Sequence, residues 1–221
     1  MGVISIEQTD RLYWLGRYTE RVYTTVRLFF AAYDTIIDQN SMEHSDFCKR
    51  LDIPDIYKDG DDFCRRYAFD ETDDNSLISI LKRAYDNAFV LREEISSEAL
   101  SYIQLAIYEI QKASVSDAPI MELQKVLDNL IAFCGICDDR IENENVRKIL
   151  IVGKRIERID LYGRLHKCRK KLECEVKRLE AKIKNCDLKY RKGQLDKLGK
   201  LVQDDELDYH EIVLTVEQLL K

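Results

Sequence analysis

Two stretches of this chain carry one helical pattern 137 residues apart, and no other feature limits the fold as tightly. "LYWLGRYTERVYTTVRL" (12–28) and "ILIVGKRIERIDLYGRL" (149–165) share Gly16/Gly153, Glu20/Glu157, Arg21/Arg158, Arg27/Arg164 and Leu28/Leu165. Leu12/Ile149, Leu15/Val152, Arg17/Lys154 and Val22/Ile159 are close replacements. In the first stretch and just beyond it, Leu15, Tyr18, Val22, Val26 and Phe29 recur with the helical period and fall on one face. Ile149, Val152, Ile156, Ile159 and Gly163 do the same in the second. Each face needs another element to cover it. The pattern predicts an all-α helical bundle with internal duplication, built on two long helices over 5–38 and from 142 onward.

The polar side of each helix repeats as well. Tyr13, Arg17, Glu20, Thr24 and Arg27 lie within about 40° of a common line, and Leu150, Lys154, Glu157, Leu161 and Arg164 occupy the equivalent line. Three arrangements fit. The stripes could be solvated faces with ordinary i,i+3 pairs. They could form a buried ion-pair core about a pseudo-twofold axis, with Arg21 meeting Glu157 and Arg158 meeting Glu20, since buried ions must be paired. Or they could line a cleft of arginines, Lys154 and two carboxylates that takes an anionic small molecule or a partner's acidic segment. Gly16 and Gly153 edge the stripes, each costing its helix about 1 kcal/mol relative to Ala. Something therefore comes close to both glutamates, either a second helix or a ligand. The ligand alternative predicts a stable but inactive Gly16→Ala protein.

The rest of the chain reads as further helices. Ser5 and Gln8 fit a capping box. Short helices are expected near 45–51 and 61–69, after which "FDETDDNS" (69–76) stops one helix and caps the next. Helices over 77–92 and 97–113 follow, and Asp117 with Pro119 opens one that ends near 133–135. From Leu165 a heptad seam runs through Leu172, Val176, Leu179, Ile183, Cys186 and Tyr190. It is either one arm of an antiparallel hairpin or the seam of a homo-oligomer. A last helix spans 208–220. The reading divides the chain into a duplicated bundle, 1–165, and lysine-rich C-terminal helices, 166–221, packed on it. Only 8 Gly and 2 Pro are present, too few for a turn-dense β fold or a glycine-rich phosphate cradle.

Residues 166–200 hold 13 Lys/Arg against 5 Asp/Glu, inside a chain of net charge −6. Such a segment could meet nucleic acid or an acidic partner. With Tyr190 its sole aromatic, it reads instead as a solvated helix beside acidic neighbours, and no nucleic acid is expected. Seven cysteines, an odd number, suggest free thiols in a reducing cytoplasm. "CGIC" (134–137) follows a helix instead of opening one and has no matching histidines, so no metal or other cofactor is expected. The N-terminus lacks the pattern of a signal peptide, Ile6 stands where a myristoylation motif has Ser or Thr, and no apolar run is long enough to span a membrane.

The paired Glu-Arg stretches resemble the signatures of the bacterial alpha-E family. "RRYAFDETDDNSLISIL" (65–81), "AYDNAFVLREEISSEAL" (84–100) and "FCGICDDR" (133–140) extend the resemblance over roughly 8–165. Here Tyr85-Asp86 replaces the family's usual Arg-Glu, Lys154-Arg155 answers Arg17-Tyr18, and the chain after Leu165 is shorter than usual. The resemblance implies a helical bundle built by duplication, encoded beside circularly permuted ATP-grasp ligases and transglutaminase-like proteins, and hence a role in amide-bond formation. By position it implies a ligand-binding set of Arg17, Glu20, Arg21, Arg27, Asn87, Arg92, Glu98, Lys154, Glu157, Arg158 and Arg164. The expected function is an accessory or co-catalytic partner of an ATP-grasp-type amide or peptide ligase that offers the Arg/Glu cleft, with room left at Gly16 and Gly153, to an anionic ligand. The alternatives are an enzyme with Glu20 or Glu157 as general base, and a scaffold or nucleic-acid-binding protein.

Overall fold

The computed structural model describes residues 4–39 and 44–220, with side chains at 4–30 and 44–220. Among the described residues there are eleven helices and no strand beyond one isolated bridge, Tyr190 with Leu220. The chain is all-α. The myristoylation reading concerns Met1 and Gly2, outside the described residues. No helix is long and apolar enough to cross a membrane, among the described residues. The chain divides into two compact units, Met1–Glu20 with Asn143–Lys221, and Arg21–Glu142.

The first unit holds the start of α1 (Ile6–Gln39) and all of α8 (Glu144–Arg164), α9 (Arg169–Ile183), α10 (Lys192–Leu201) and α11 (Tyr209–Glu217). The capping box forms as expected: Gln8 N–H donates to Ser5 Oγ (3.1 Å), and Ser5 N–H donates to Gln8 Oε1 (2.9 Å). Helix α8 is capped by Asn143, whose Oδ1 accepts from Asn145 N–H at 3.0 Å. It ends on His166 in the left-handed region (φ 49°). Lys167 N–H reaches back to Tyr162 O, and His166 N–H to Gly163 O, the paired closure of a Schellman motif. That turn folds α9 back onto α8.

The seam residues Leu172, Val176, Leu179 and Ile183 are buried with Val152, Ile156 and Ile159 of α8, Leu195 and Leu198 of α10, and Ile212 and Val216 of α11. Of the two readings of the seam, α9 takes the hairpin arm. It stops at Ile183, so Cys186 and Tyr190 reach the same core from beyond the helix. The expected boundary at 165/166 falls inside this unit, because α9 and α11 both pack on α8. The single solvated helix expected over 166–200 is broken in two: α9 ends at Ile183, and α10 is a separate helix that buries Leu195 and Leu198.

The second unit contains the remainder of α1 with α2 (His44–Leu51), α3 (Gly60–Phe69), α4 (Leu77–Val90), α5 (Arg92–Ile95), α6 (Ser97–Ser114) and α7 (Pro119–Arg140). Its aromatic centre stacks Phe29 on Phe63 (5.7 Å between centroids) and Phe63 on Tyr67 (5.2 Å), with Tyr57 edge-on to Phe63 (5.0 Å). The "FDETDDNS" cluster does both jobs expected of it: Asp70 ends α3, and Ser76 Oγ caps α4 by accepting from Ser79 N–H. Helix α7 runs beyond the expected stop near 135. Gly135 faces open space, while Phe133 and Cys137 keep the buried line going, so "CGIC" lies within the helix instead of after it.

Candidate functional site

Helices α1 and α8 meet at their glycines. A Cβ on Gly16 would sit 2.2 Å from the Leu150 carbonyl oxygen, and one on Gly153 would sit 2.2 Å from the Tyr13 carbonyl oxygen. Tyr13 and Leu150 are themselves counterparts in the two stretches, so the contact is reciprocal. The hydrogen that stands in place of each Cβ points at a carbonyl, the geometry of a Cα–H···O contact. No side chain separates the backbones there. The space at Gly16 and Gly153 is therefore filled by the facing helix, which corrects the expectation that it holds a ligand. The physical reason is that an obstructing backbone carbonyl cannot rotate aside as a side chain can.

One turn beyond each glycine stands the motif glutamate. Glu20 is wholly buried and Glu157 is 1% exposed. Arg158 grips Glu20 with a two-pronged fork, Nε to Oε1 at 2.6 Å and Nη2 to Oε2 at 2.8 Å. This is the expected Arg158–Glu20 pair. Glu157 accepts from Arg17 Nε at 2.5 Å. Arg17 is further fixed by the Tyr13 hydroxyl (3.3 Å) and lies 5.1 Å from the centre of the Trp14 ring.

Two further buried carboxylates extend the pairs into a network. Asp160 receives Arg164 Nε at 3.0 Å and lies 3.9 Å from Arg17, and Arg164 continues to Glu217 of α11 at 2.6 Å. Glu175 of α9 receives Arg155 (2.6 Å) and Arg178 (2.7 Å), with Arg158 3.7 Å away. Each of the four buried carboxylates Glu20, Glu157, Asp160 and Glu175 thus faces at least one arginine. Burial works against the charge on Arg17, but Glu157 and then Tyr13 hold the guanidinium protonated and raise its pKa. Burial opposes Arg158 likewise, and its bonds to Glu20, with Glu175 behind, more than offset it. Burial also pushes the Tyr13 hydroxyl up, with Arg17 acting against the shift.

Six of the expected site residues belong to this unit: Arg17, Glu20, Lys154, Glu157, Arg158 and Arg164. Lys154 lies at the glycine contact, its backbone nitrogen 3.1 Å from the Cβ position of Gly16. The other five belong to the second unit. Arg21 there acts on the buried Tyr67, whose hydroxyl pKa is raised by burial first and lowered in part by that arginine. Arg27 is exposed, with its guanidinium 5.7 Å from the Tyr23 ring centre. Asn87 accepts Leu91 N–H at the end of α4, Arg92 lies beside Glu93 at the start of α5, and Glu98 faces Arg140 at 3.6 Å. Among the described residues, no group of His, Cys, Asp and Glu is placed to hold a metal ion.

Asp160, Glu175, Arg155 and Glu217 are members of the network that the sequence reading passes over. Glu175 carries a legible signal, since it sits at core spacing between Leu172 and Leu179 and a carboxylate there must find a cation. Asp160 carries none from the repeat, because its counterpart is Tyr23.

The Alpha-E family model, described as a predicted alpha-helical domain with a conserved ER motif, matches residues 8–191. No curated protein and no solved structure matches the chain.

Proposed function

Since the chain belongs to the Alpha-E family, we propose that its Glu-Arg motif welds α1 to α8, and that the protein serves as a non-catalytic helical partner of an amide-forming, ATP-grasp-type ligase. The observation that carries the first half is the sealing of both glutamates. Glu20 and Glu157 are at most 1% exposed, and each is held by an arginine within 2.6 Å. A general base must reach the proton it takes, directly or through one water. An anion binder needs cationic charge to spare, and here four buried carboxylates already claim Arg17, Arg155, Arg158 and Arg164. The second half rests on the family's association with such ligases.

The test reconstitutes the chain with a candidate ligase and follows ADP release and amide formation, using Glu20→Gln and Glu157→Gln. A general base would lose about 100-fold or more in turnover while staying folded. A weld loses stability instead, and turnover per folded molecule at low temperature stays near that of the parent. Amide formation by the chain alone, abolished in either variant, would replace this reading with an enzymatic one.

A further inference from the structure

Helix α9 carries a second repeat on the side away from the core. Its sequence is two similar heptads, "KKLECEV" (170–176) and "KRLEAKI" (177–183), which share Lys, Leu and Glu and differ in charge at Glu175/Lys182, followed by Lys184. The inner members, Leu172, Val176, Leu179 and Ile183, are the buried seam. The outer members are Lys170, Lys171, Cys174, Lys177, Arg178, Ala181 and Lys184, and every one is exposed. On a helical wheel they lie within about 80° of Cys174. Two small residues, Cys174 and Ala181, thus recur one heptad apart along the middle of the face, with cations on both flanks. Packing of α9 onto its own core does not require this outer period, because core burial fixes only the inner positions.

The geometry points to a docking site on this face for an acidic helix of a partner protein, seated over Cys174 and Ala181 with its carboxylates between the flanking cations. Charge and period together select that occupant. A helix with acidic side chains every seven residues repeats at the spacing of Lys170, Lys177 and Lys184, about 10 Å. A nucleic-acid duplex instead presents a charge about every 1.7 Å of its axis and favours a denser array. Small residues in the centre let the incoming helix approach, and flanking charges set its register, as at the edges of a coiled-coil seam. Glu173 and Glu180 lie at the margin, paired with Lys177 and Lys184 at 3.9 and 3.5 Å, and leave the centre of the face cationic. Glu175 is turned inward to Arg155 and also accepts from Arg178 at 2.7 Å, at the other edge of the face.

The experiment uses the full chain and fluorescence anisotropy. The probe is a labelled helical peptide of about three heptads with Glu flanking a central Ala or Leu in each repeat. Controls are the same composition with the heptad order shuffled, a DNA duplex of equal charge, and vesicles containing phosphatidylserine. The heptad peptide is expected to bind, with affinity falling as salt rises, and the shuffled peptide to bind about tenfold more weakly or worse. Combined Lys170→Glu, Lys177→Glu and Lys184→Glu should weaken binding about tenfold or more with only a small fall in the melting temperature, because these side chains are exposed and only two weak i,i+4 pairs, with Glu173 and Glu180, are reversed. A peptide with Lys in place of Glu should then bind the reversed chain. Failure of the heptad peptide to bind, equal binding of the shuffled peptide, tighter binding of DNA or vesicles, or absence of the charge-swap rescue each overturns the proposal.

Discussion

Replacing Gly153 by Ala puts a methyl group 2.2 Å from the Tyr13 carbonyl oxygen, at a separation where real Cβ atoms are not found. The two helices must part by about 1 Å to relieve it, and overpacking of this kind costs about 1–3 kcal/mol. The obstacle is helical backbone with no rotamer to change, so the cost belongs at the upper end, about 3 kcal/mol. Alanine returns about 1 kcal/mol through its better helix propensity, leaving a net loss of about 2 kcal/mol. Gly16→Ala meets the Leu150 carbonyl at the same distance and should lose a similar amount. The double variant should lose less than the sum, because one separation of the helices relieves both contacts. Trp14, the only tryptophan, lies in the first unit beside Arg17, so its emission reports on this contact directly. In urea the loss should lower the Trp14 midpoint by about 1 M for each single variant. An unchanged or raised midpoint in either variant would refute the backbone-to-backbone contact, and with it the closed site.

The Arg158–Glu20 fork should behave as a buried pair. Arg158→Met and Glu20→Gln each strand a partner and should cost about 3–5 kcal/mol, whereas Glu20→Leu with Arg158→Met together should cost far less than the two single losses, read by the same urea titration. Near-zero single costs would place the pair in solvent. Burial pushes the Cys48 thiol up to about 11. An unfolded thiol ionises near 8.5, so folding stability from this group is whole below that pH and is lost as pH rises towards 11. In the folded protein at pH 7.5, Cys168 and Cys174 should therefore react with maleimide well before Cys48, as peptide mapping would reveal. Rapid labelling of Cys48 would contradict its burial.

Local chemistry made much of the fold legible. Ser5 with Gln8, the Asp-rich run before Ser76 and Pro119 each act within a few residues of themselves, so their outcome needs no tertiary information. The apolar stripes of α1 and α8, and the seam of α9, follow from periodicity alone. What sequence could not settle is what stands opposite a given position. Gly16 reads identically whether a helix or a ligand fills its open side, and only docking of α8 decides it. Gly135 read as a stop because glycine favours helix ends, yet in α7 it merely faces open space while Phe133, Cys137 and Ile141 stay buried. Arg17 with Glu157 depends on the crossing of two helices, which no spacing along one of them reveals.

The combination of Gly, Glu and Arg in each stretch follows from that crossing. A glycine lets the helices touch, and the side chain one turn later, Glu20 or Glu157, then stands where the gap is too narrow for water. A carboxylate there needs a cation: Arg17 meets Glu157 through its Nε, and the planar fork of Arg158 meets both oxygens of Glu20, which a lysine ammonium would not. Apolar side chains could fill the same volume with equal or greater stability. They would, however, accept several neighbouring alignments of one apolar stripe on another. A buried fork is more selective, since sliding α1 along α8 by a turn would break both bonds between Arg158 and Glu20. The glycine contact thus sets how closely α1 and α8 approach, and the ion pairs set where along each other they stop. Because the contact is reciprocal, it asks the same Gly and Glu of both helices, which is why the two stretches read alike.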